Sequence, residues 1–242
     1  MEGTKVFGEA LRAGVEIESV YLDPGLIGAD AALPALVERA FAAGSRVYEL
    51  EPGVLARVAG TVSPQGVLAI VPQIDVPLGR LHEQHADLVV VCVDVRDPGN
   101  AGTVLRSAEA AGAGGVVCCG GSVDVYNPKT VRASAGTLFH LPVVVGCDAG
   151  EVLGQLGAWG LTRLGAVASG GQQYTEANLD RPTALVVGNE AHGLGDAARS
   201  ALDGLVTIPM AGRGESINVG MAAAVLCFEA ARQRRLPARE VG

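Results

Sequence analysis

Three segments of the chain set polar side chains among glycines just past apolar runs. The first, Asp94-Val95-Arg96-Asp97-Pro98-Gly99-Asn100-Ala101-Gly102-Thr103-Val104-Leu105-Arg106, leads from an apolar strand into a helix. Asn100 stands where its side chain can cap that helix, and Gly99 and Gly102 admit another backbone or a ligand at close range. Arg106 follows one to two turns into the helix, where its planar fork of donors suits a phosphate. A capped helix with an arginine on its solvated face has the same pattern.

The second segment, Val186-Val187-Gly188-Asn189-Glu190-Ala191-His192-Gly193-Leu194-Gly195, exposes main-chain groups at a strand end. That suits an adenosine moiety held by backbone hydrogen bonds, although Gly188-Asn189 alone also fits an ordinary turn. The third, Ile208-Pro209-Met210-Ala211-Gly212-Arg213-Gly214-Glu215-Ser216-Ile217-Asn218-Val219, leaves a strand and enters the last long helix. Ser216 and Asn218 fit either as caps of that helix or as groups aimed at a substrate hydroxyl. None of the three is a dinucleotide fingerprint, a phosphate-binding P-loop or a serine-hydrolase elbow. Gly112-Ala113-Gly114-Gly115 precedes a strand where the dinucleotide motif must open a helix.

The elements that must position these loops follow a regular rhythm. Apolar strands are predicted at Leu88–Val95, Gly115–Cys119, Val143–Val145, Leu164–Ala168, Ala184–Gly188 and Leu205–Ile208. Helices alternate with them near Ala101–Ala111, Pro128–Gly136, Gly150–Trp159, Gly195–Ala201 and Asn218–Arg235. Near-continuous apolar strands separated by helices predict a mostly parallel α/β sheet covered on both faces, with ligands bound outside the strands' carboxyl ends. Upstream, helices at Val6–Ala13 and Leu33–Ala43, strands at Ile17–Leu22, Arg46–Leu50 and Gly66–Val71, and a helical turn after Pro52 make a smaller α/β unit. Pro72–His85 loses periodicity and reads as a linker, so the expected division is residues 1–84 and 86–242.

Composition narrows the classes. With 242 residues, 49% hydrophobic and 18% charged, the chain has the make-up of a folded globular protein. A net charge of −8 excludes wholesale, nonspecific nucleic-acid binding, so any RNA contact needs a local cationic patch; Lys129 and Arg132, with Arg106, are the candidates. The five cysteines form no C-x-x-C pair, and His192 has no partner at ligand spacing, so no metal site is expected. Without an export signal at the start or an apolar run near the ~20 residues that span a bilayer, a cytoplasmic protein with no membrane partner is expected.

In order and together, the three loops resemble the motifs of the SpoU family of RNA ribose 2′-O-methyltransferases, within the SPOUT superfamily, from about Leu88 to Arg235. Asn127-Pro128-Lys129-Thr130-Val131-Arg132-Ala133-Ser134-Ala135-Gly136 is also similar to that family, whereas Glu2-Gly3 and Thr61-Val62-Ser63-Pro64-Gln65-Gly66-Val67 resemble a small L30-like RNA-binding domain that precedes it. The resemblance implies a deep trefoil knot in the C-terminal half and a homodimer formed through it. It further implies a bent S-adenosylmethionine near Gly188, Asn189, Ile208, Pro209, Met210, Ser216, Ile217 and Asn218, and no metal. Arg106, Asn100, Glu190, Ser216 and Asn218 match the family's functional positions, and the implied activity is methylation of a ribose in structured RNA, with 23S ribosomal RNA favoured over transfer RNA. The N-terminal unit departs from the pattern: it looks short at its start, and through residue 86 it holds 6 basic against 11 acidic side chains. Two rival readings remain open at this point, a noncatalytic RNA-binding or ribosome-assembly protein of the same fold and a nucleotide-dependent enzyme of another class.

Overall fold

The computed structural model describes residues 1–27, 30–59 and 65–235. Its first unit comprises α1 (Thr4–Arg12), β1 (Ser19–Leu22), the single turn α2 (Pro24–Ile27), α3 (Leu33–Ala42), β2 (Arg46–Glu49), α4 (Val54–Val58) and β3 (Val67–Ile70). The sheet order is β2-β1-β3, with β1 parallel to β2 and antiparallel to β3. Alternation along the strands turns Val20, Leu22, Val67 and Ala69 to one face, where Phe7, Leu33 and Ala40 cover them. The chain's first residues extend β3: Glu2 bridges Leu68, and the Met1 amino group and the Gly3 N–H donate to the carbonyls of Ala69 and Val67. Of the segment likened to an L30-like domain, 61–64 lies outside the described residues.

The segment read as a linker contains a helix, α5 (Gly79–Glu83), whose Leu81 is fully buried among Val89, Val91, Val117 and Leu156. A helix this short shows no periodicity in sequence, which is why only its proline and glycine content was legible. Val76 N–H also donates to the Val143 carbonyl at 2.9 Å, tying this stretch to the sheet that follows.

The second unit runs β4 (Leu88–Cys92), α6 (Pro98–Ala110), β5 (Gly115–Cys118), α7 (Pro128–Ser134), a 3-10 turn, β6 (Val143–Val145), α8 (Ala149–Ala158), β7 (Thr162–Val167), β8 (Gln172–Gln173), β9 (Thr183–Val187), α9 (Asp196–Ser200), β10 (Gly204–Thr207) and α10 (Val219–Arg235). Seven strands pair in the order β6-β5-β4-β9-β7-β10-β8, every pair parallel. Sequence reading expected six; β8 is two residues long, too short to alternate visibly. Side chains of one parity, including Leu88, Val90, Val116 and Leu185, meet Val104, Leu105 and Leu226 of α6 and α10. The other parity, Val89, Val91, Val117 and Val186, meets Leu81, Leu153, Leu156 and Ala198 of α5, α8 and α9. Both faces are therefore dry, as the continuous apolar strands require.

The two units meet along a seam. Tyr126 Oη donates to Asp75 Oδ1 at 2.6 Å and accepts from the N–H groups of Ile74 and Asp75, while His140 Nε2 lies 2.9 Å from Glu9 Oε2. Four of the five cysteines are buried and all are free; Cys147 is partly exposed. Among the described residues, no helix is long and apolar enough to cross a membrane.

Candidate active site

The site lies outside the carboxyl ends of β4, β9 and β10. After β4 the chain turns through Asp94, a non-glycine residue at φ 57. Asn189 holds it there, its Nδ2 donating to the Asp94 carbonyl at 3.0 Å and to Oδ2 at 3.1 Å, while Arg96 Nε donates to Oδ1 at 2.7 Å. The other end of the Asn189 amide accepts from Ala191 N–H and His192 N–H, which shapes its own loop. Left-handed backbone costs a β-carbon residue about 1–2 kcal/mol, and these bonds offset it.

Asp97, not Asn100, caps α6: its Oδ1 accepts from Asn100 N–H at 2.8 Å and Pro98 takes the first helical position. This corrects the cap read from sequence. A carboxylate three residues earlier already meets the free N–H, so the Asn100 side chain is released for longer reach. Its Nδ2 donates to Glu190 Oε1 at 2.9 Å and its Oδ1 accepts from Asn218 Nδ2 at 2.7 Å. Asn218 Oδ1 in turn accepts from Gly220 N–H and Met221 N–H, so Asn218 caps α10 and bonds Asn100 together.

Glu190 completes the chain of bonds. Its Oε1 also accepts from Asp97 N–H at 3.0 Å and its Oε2 from Arg96 N–H at 3.3 Å. Burial works to raise its carboxyl pKa, but the Asn100 bond and the N–H groups of Asp97, Glu190 itself and Arg96 outweigh that and hold it below the ordinary value. Asn100, Glu190 and Asn218, from three segments up to 118 residues apart, thus form one continuous network.

Beside it opens a cleft of about 600 Å³, lined by Gly188–Leu194 on one wall and by Ile208, Met210 and Ser216–Val219 on the other. Gly188 packs where a β-carbon would sit 2.7 Å from Leu194 N, so only glycine lets the two halves of that loop close. Apolar Val187, Ile208, Ile217 and Leu226 alternate in the lining with exposed loop backbone, a surface for a flat heterocycle with polar edges. Of the residues expected at the cofactor, Gly188, Asn189, Ile208, Met210, Ser216, Ile217 and Asn218 line the cleft and Pro209 does not. Ser216 is exposed and makes no hydrogen bond among the described residues.

Arg106 is not on the cleft wall. At about 100° per residue, the six positions from Asn100 turn its side chain about 120° away, and it lies exposed with no hydrogen bond or ion pair among the described residues. Lys129 is exposed at the start of α7, whereas Arg132 Nη1 lies 3.8 Å from Glu2 Oε2 on the seam. Gly102 performs the role expected of it: a β-carbon there would stand 2.8 Å from Ser134 N, so α6 and α7 touch backbone to backbone. Asp94 and Arg199 were missed; Asp94 is structural only because Asn189 reaches it from 95 residues away, and Arg199 sits in a helix with no motif. No group of His, Cys, Asp and Glu among the described residues could hold a metal.

Two family models match the chain: the SpoU rRNA Methylase family over residues 87–228, and RNA 2′-O ribose methyltransferase substrate binding over residues 1–77. A 23S rRNA (uridine(2479)-2′-O)-methyltransferase of Streptomyces viridochromogenes is 37% identical over 177 residues, which are 71% of this chain and 62% of that protein, less than two thirds of its length. The 23S rRNA (guanosine(2553)-2′-O)-methyltransferase RlmP of Bacillus subtilis is 31% identical over 229 residues, covering 94% of this chain and 86% of the relative. An AdoMet-bound rRNA methyltransferase from Sinorhizobium meliloti superposes with TM-score 0.84 at 30% identity, covering 96% of this chain and 86% of the other.

Proposed function

We propose, on the premise that this chain belongs to the SpoU rRNA methylase family, that it transfers a methyl group from S-adenosylmethionine to a ribose 2′-hydroxyl of large-subunit ribosomal RNA. The observation that carries this reading is the Asn100–Glu190–Asn218 network at the rim of a cleft of cofactor size. The bound cofactor supplies a methyl group made electrophilic by its sulfonium, so no metal is needed. Two of the named relatives act on 23S ribosomal RNA, which favours that RNA over transfer RNA.

Each residue then has a task that its surroundings fit. Gly188, Ile208, Met210 and Ile217 hold the adenosine by shape and backbone. Asn100 and Asn218, each fixed by the other, present amides that orient the ribose, and Ser216, on the same wall as Asn218, has its hydroxyl free for the same purpose. Glu190 orders the two amides and the backbone before α6. Arg106 clamps an RNA phosphate with its planar fork of donors and steadies negative charge on the attacking oxygen. Lys129 extends that cationic contact, and Arg132 adds to it where it is not turned to Glu2.

A homodimer brings Arg106 to a cleft. Met221 and Phe228 stand seven residues apart on the outer face of α10, 62% and 50% exposed, and α10 packs on α6, the helix that carries Arg106. Burying that apolar stripe against a second copy places Arg106 beside the partner's cleft. A trefoil knot, which the family resemblance implies, is compatible with the strand order, in which β9 lies between β4 and β7. The RNA-substrate unit ends near residue 77, and α5, whose Leu81 packs under the second sheet, belongs with the catalytic unit; a ribosomal substrate is met in the cytoplasm.

The test offers methyl-labelled S-adenosylmethionine with large-subunit ribosomal RNA, small-subunit ribosomal RNA and transfer RNA separately. Label in the large-subunit RNA alone is expected. Cofactor binding without transfer to any of the three would favour a noncatalytic RNA-binding role, and label in transfer RNA alone would overturn the ribosomal assignment.

A further inference from the structure

We propose that Arg199 anchors the carboxylate of the cofactor's amino-acid arm and so sets which way the cofactor lies in the cleft; this rests on the methyltransferase reading. Among the described residues, three ionisable side chains line the cleft: Glu190, His192 and Arg199. Both oxygens of Glu190 are already engaged by Asn100 and by the N–H groups of Arg96 and Asp97. Arg199 supplies the guanidinium of the three.

Its placement is fixed and its donors are free. Arg199 Nε donates to the Leu194 carbonyl at 3.1 Å, and its N–H bonds to Gly195. Leu194 follows Gly193, which exchanges both backbone hydrogen bonds with Asn189 at 2.9 Å. The loop that walls the cleft therefore also holds the guanidinium. The two terminal nitrogens have no hydrogen bond or ion pair among the described residues, leaving a planar fork that matches an oxyanion in two-point fashion.

The charges of the cofactor choose its orientation. Sulfonium and ammonium are positive, adenine and ribose are neutral, and the carboxylate is the single anionic group. A guanidinium on the cleft wall attracts that end and repels the other two charged groups. An RNA phosphate has the same fork chemistry, and the experiment separates the two sources.

Calorimetry on the whole protein compares S-adenosylhomocysteine with 5′-deoxy-5′-methylthioadenosine, which keeps the adenosine and thioether but lacks the amino-acid arm. In Arg199→Ala, S-adenosylhomocysteine affinity should fall about 10- to 100-fold, the loss typical of a charged hydrogen-bonded partner. Methylthioadenosine affinity should stay within about twofold, the arm being absent in both proteins. Arg199→Lys should restore part of the difference, since charge returns without the fork. Equal losses for both ligands would overturn the assignment in favour of a role in shaping the loop. Unchanged affinity for both, with weaker RNA binding in a filter assay, would assign Arg199 to phosphate instead. Failure of the wild type to bind S-adenosylhomocysteine would overturn the methyltransferase reading itself, an outcome distinct from either.

Discussion

Replacing Glu190 by alanine removes the acceptor for three donors at once: Asn100 Nδ2 at 2.9 Å, Asp97 N at 3.0 Å and Arg96 N at 3.3 Å. Hydrogen bonds to a charged group are worth about 1.5–3 kcal/mol each when shielded, but this carboxylate is exposed and water replaces much of each bond. A net loss of about 1–2 kcal/mol is expected, or a fall in melting temperature of roughly 2–8 °C for a chain of this size. Glu190→Gln should cost less, because the amide oxygen can keep Asp97 and Asn100 and only the long Arg96 bond meets an opposing donor. The pKa of Glu190 is lowered in the folded state, so its contribution is fully present above the ordinary carboxyl pKa of about 4.3 and fades as pH falls through the lowered value. Urea denaturation at pH 7 and again near the bottom of that window should show the gap between wild type and Glu190→Gln closing in acid. Methyl transfer should fall in Glu190→Ala, where the Asn100 amide loses its support, and less in Glu190→Gln, which keeps it, while S-adenosylhomocysteine affinity holds in both. Equal urea midpoints for wild type and Glu190→Ala at pH 7, or a Gln gap indifferent to pH, would refute the idea that the carboxylate organises the three loops.

Arg106→Ala should leave the melting temperature unchanged, as befits an exposed side chain without partners, yet lower kcat at least about 100-fold, measured by label transfer; Arg106→Lys should recover only part of the loss. Gly188→Ala should destabilise the protein by about 1–3 kcal/mol in chemical denaturation, and abolish cofactor binding in calorimetry, because its β-carbon meets the Gly193–Leu194 backbone, which cannot yield as a side-chain end would. Met221→Glu combined with Phe228→Glu should shift the mass in light scattering from a dimer to the 24.5 kDa chain.

How much of this was legible beforehand differs by length scale. The six longer strands of the catalytic sheet announced themselves because burial on both faces demands unbroken apolar runs, and the three loops because glycine, asparagine and serine cluster at their ends. Strand order was not legible: that β9 inserts between β4 and β7 depends on pairing between segments far apart in sequence, which local pattern does not encode. The role of Asn100 was half visible. Its type suggested a cap, but only coordinates show Asp97 already filling that place, which frees Asn100 to reach Glu190 and Asn218. That Arg132 lies 3.8 Å from Glu2 was not legible, because nothing in the sequence brings the two segments together. Arg199 gave no signal at all, since a lone arginine in a five-residue helix has the appearance of any solvated side chain.

The central claim, that these loops direct a methyl group onto a ribose oxygen, is tested most directly by alkaline hydrolysis of labelled large-subunit RNA after reaction. A methylated 2′-oxygen cannot attack the adjacent phosphate, so the label should be recovered in an alkali-resistant dinucleotide, and the reaction with Asn100→Ala should yield far less of it. Label released in a mononucleotide, carried on a base, would contradict the account.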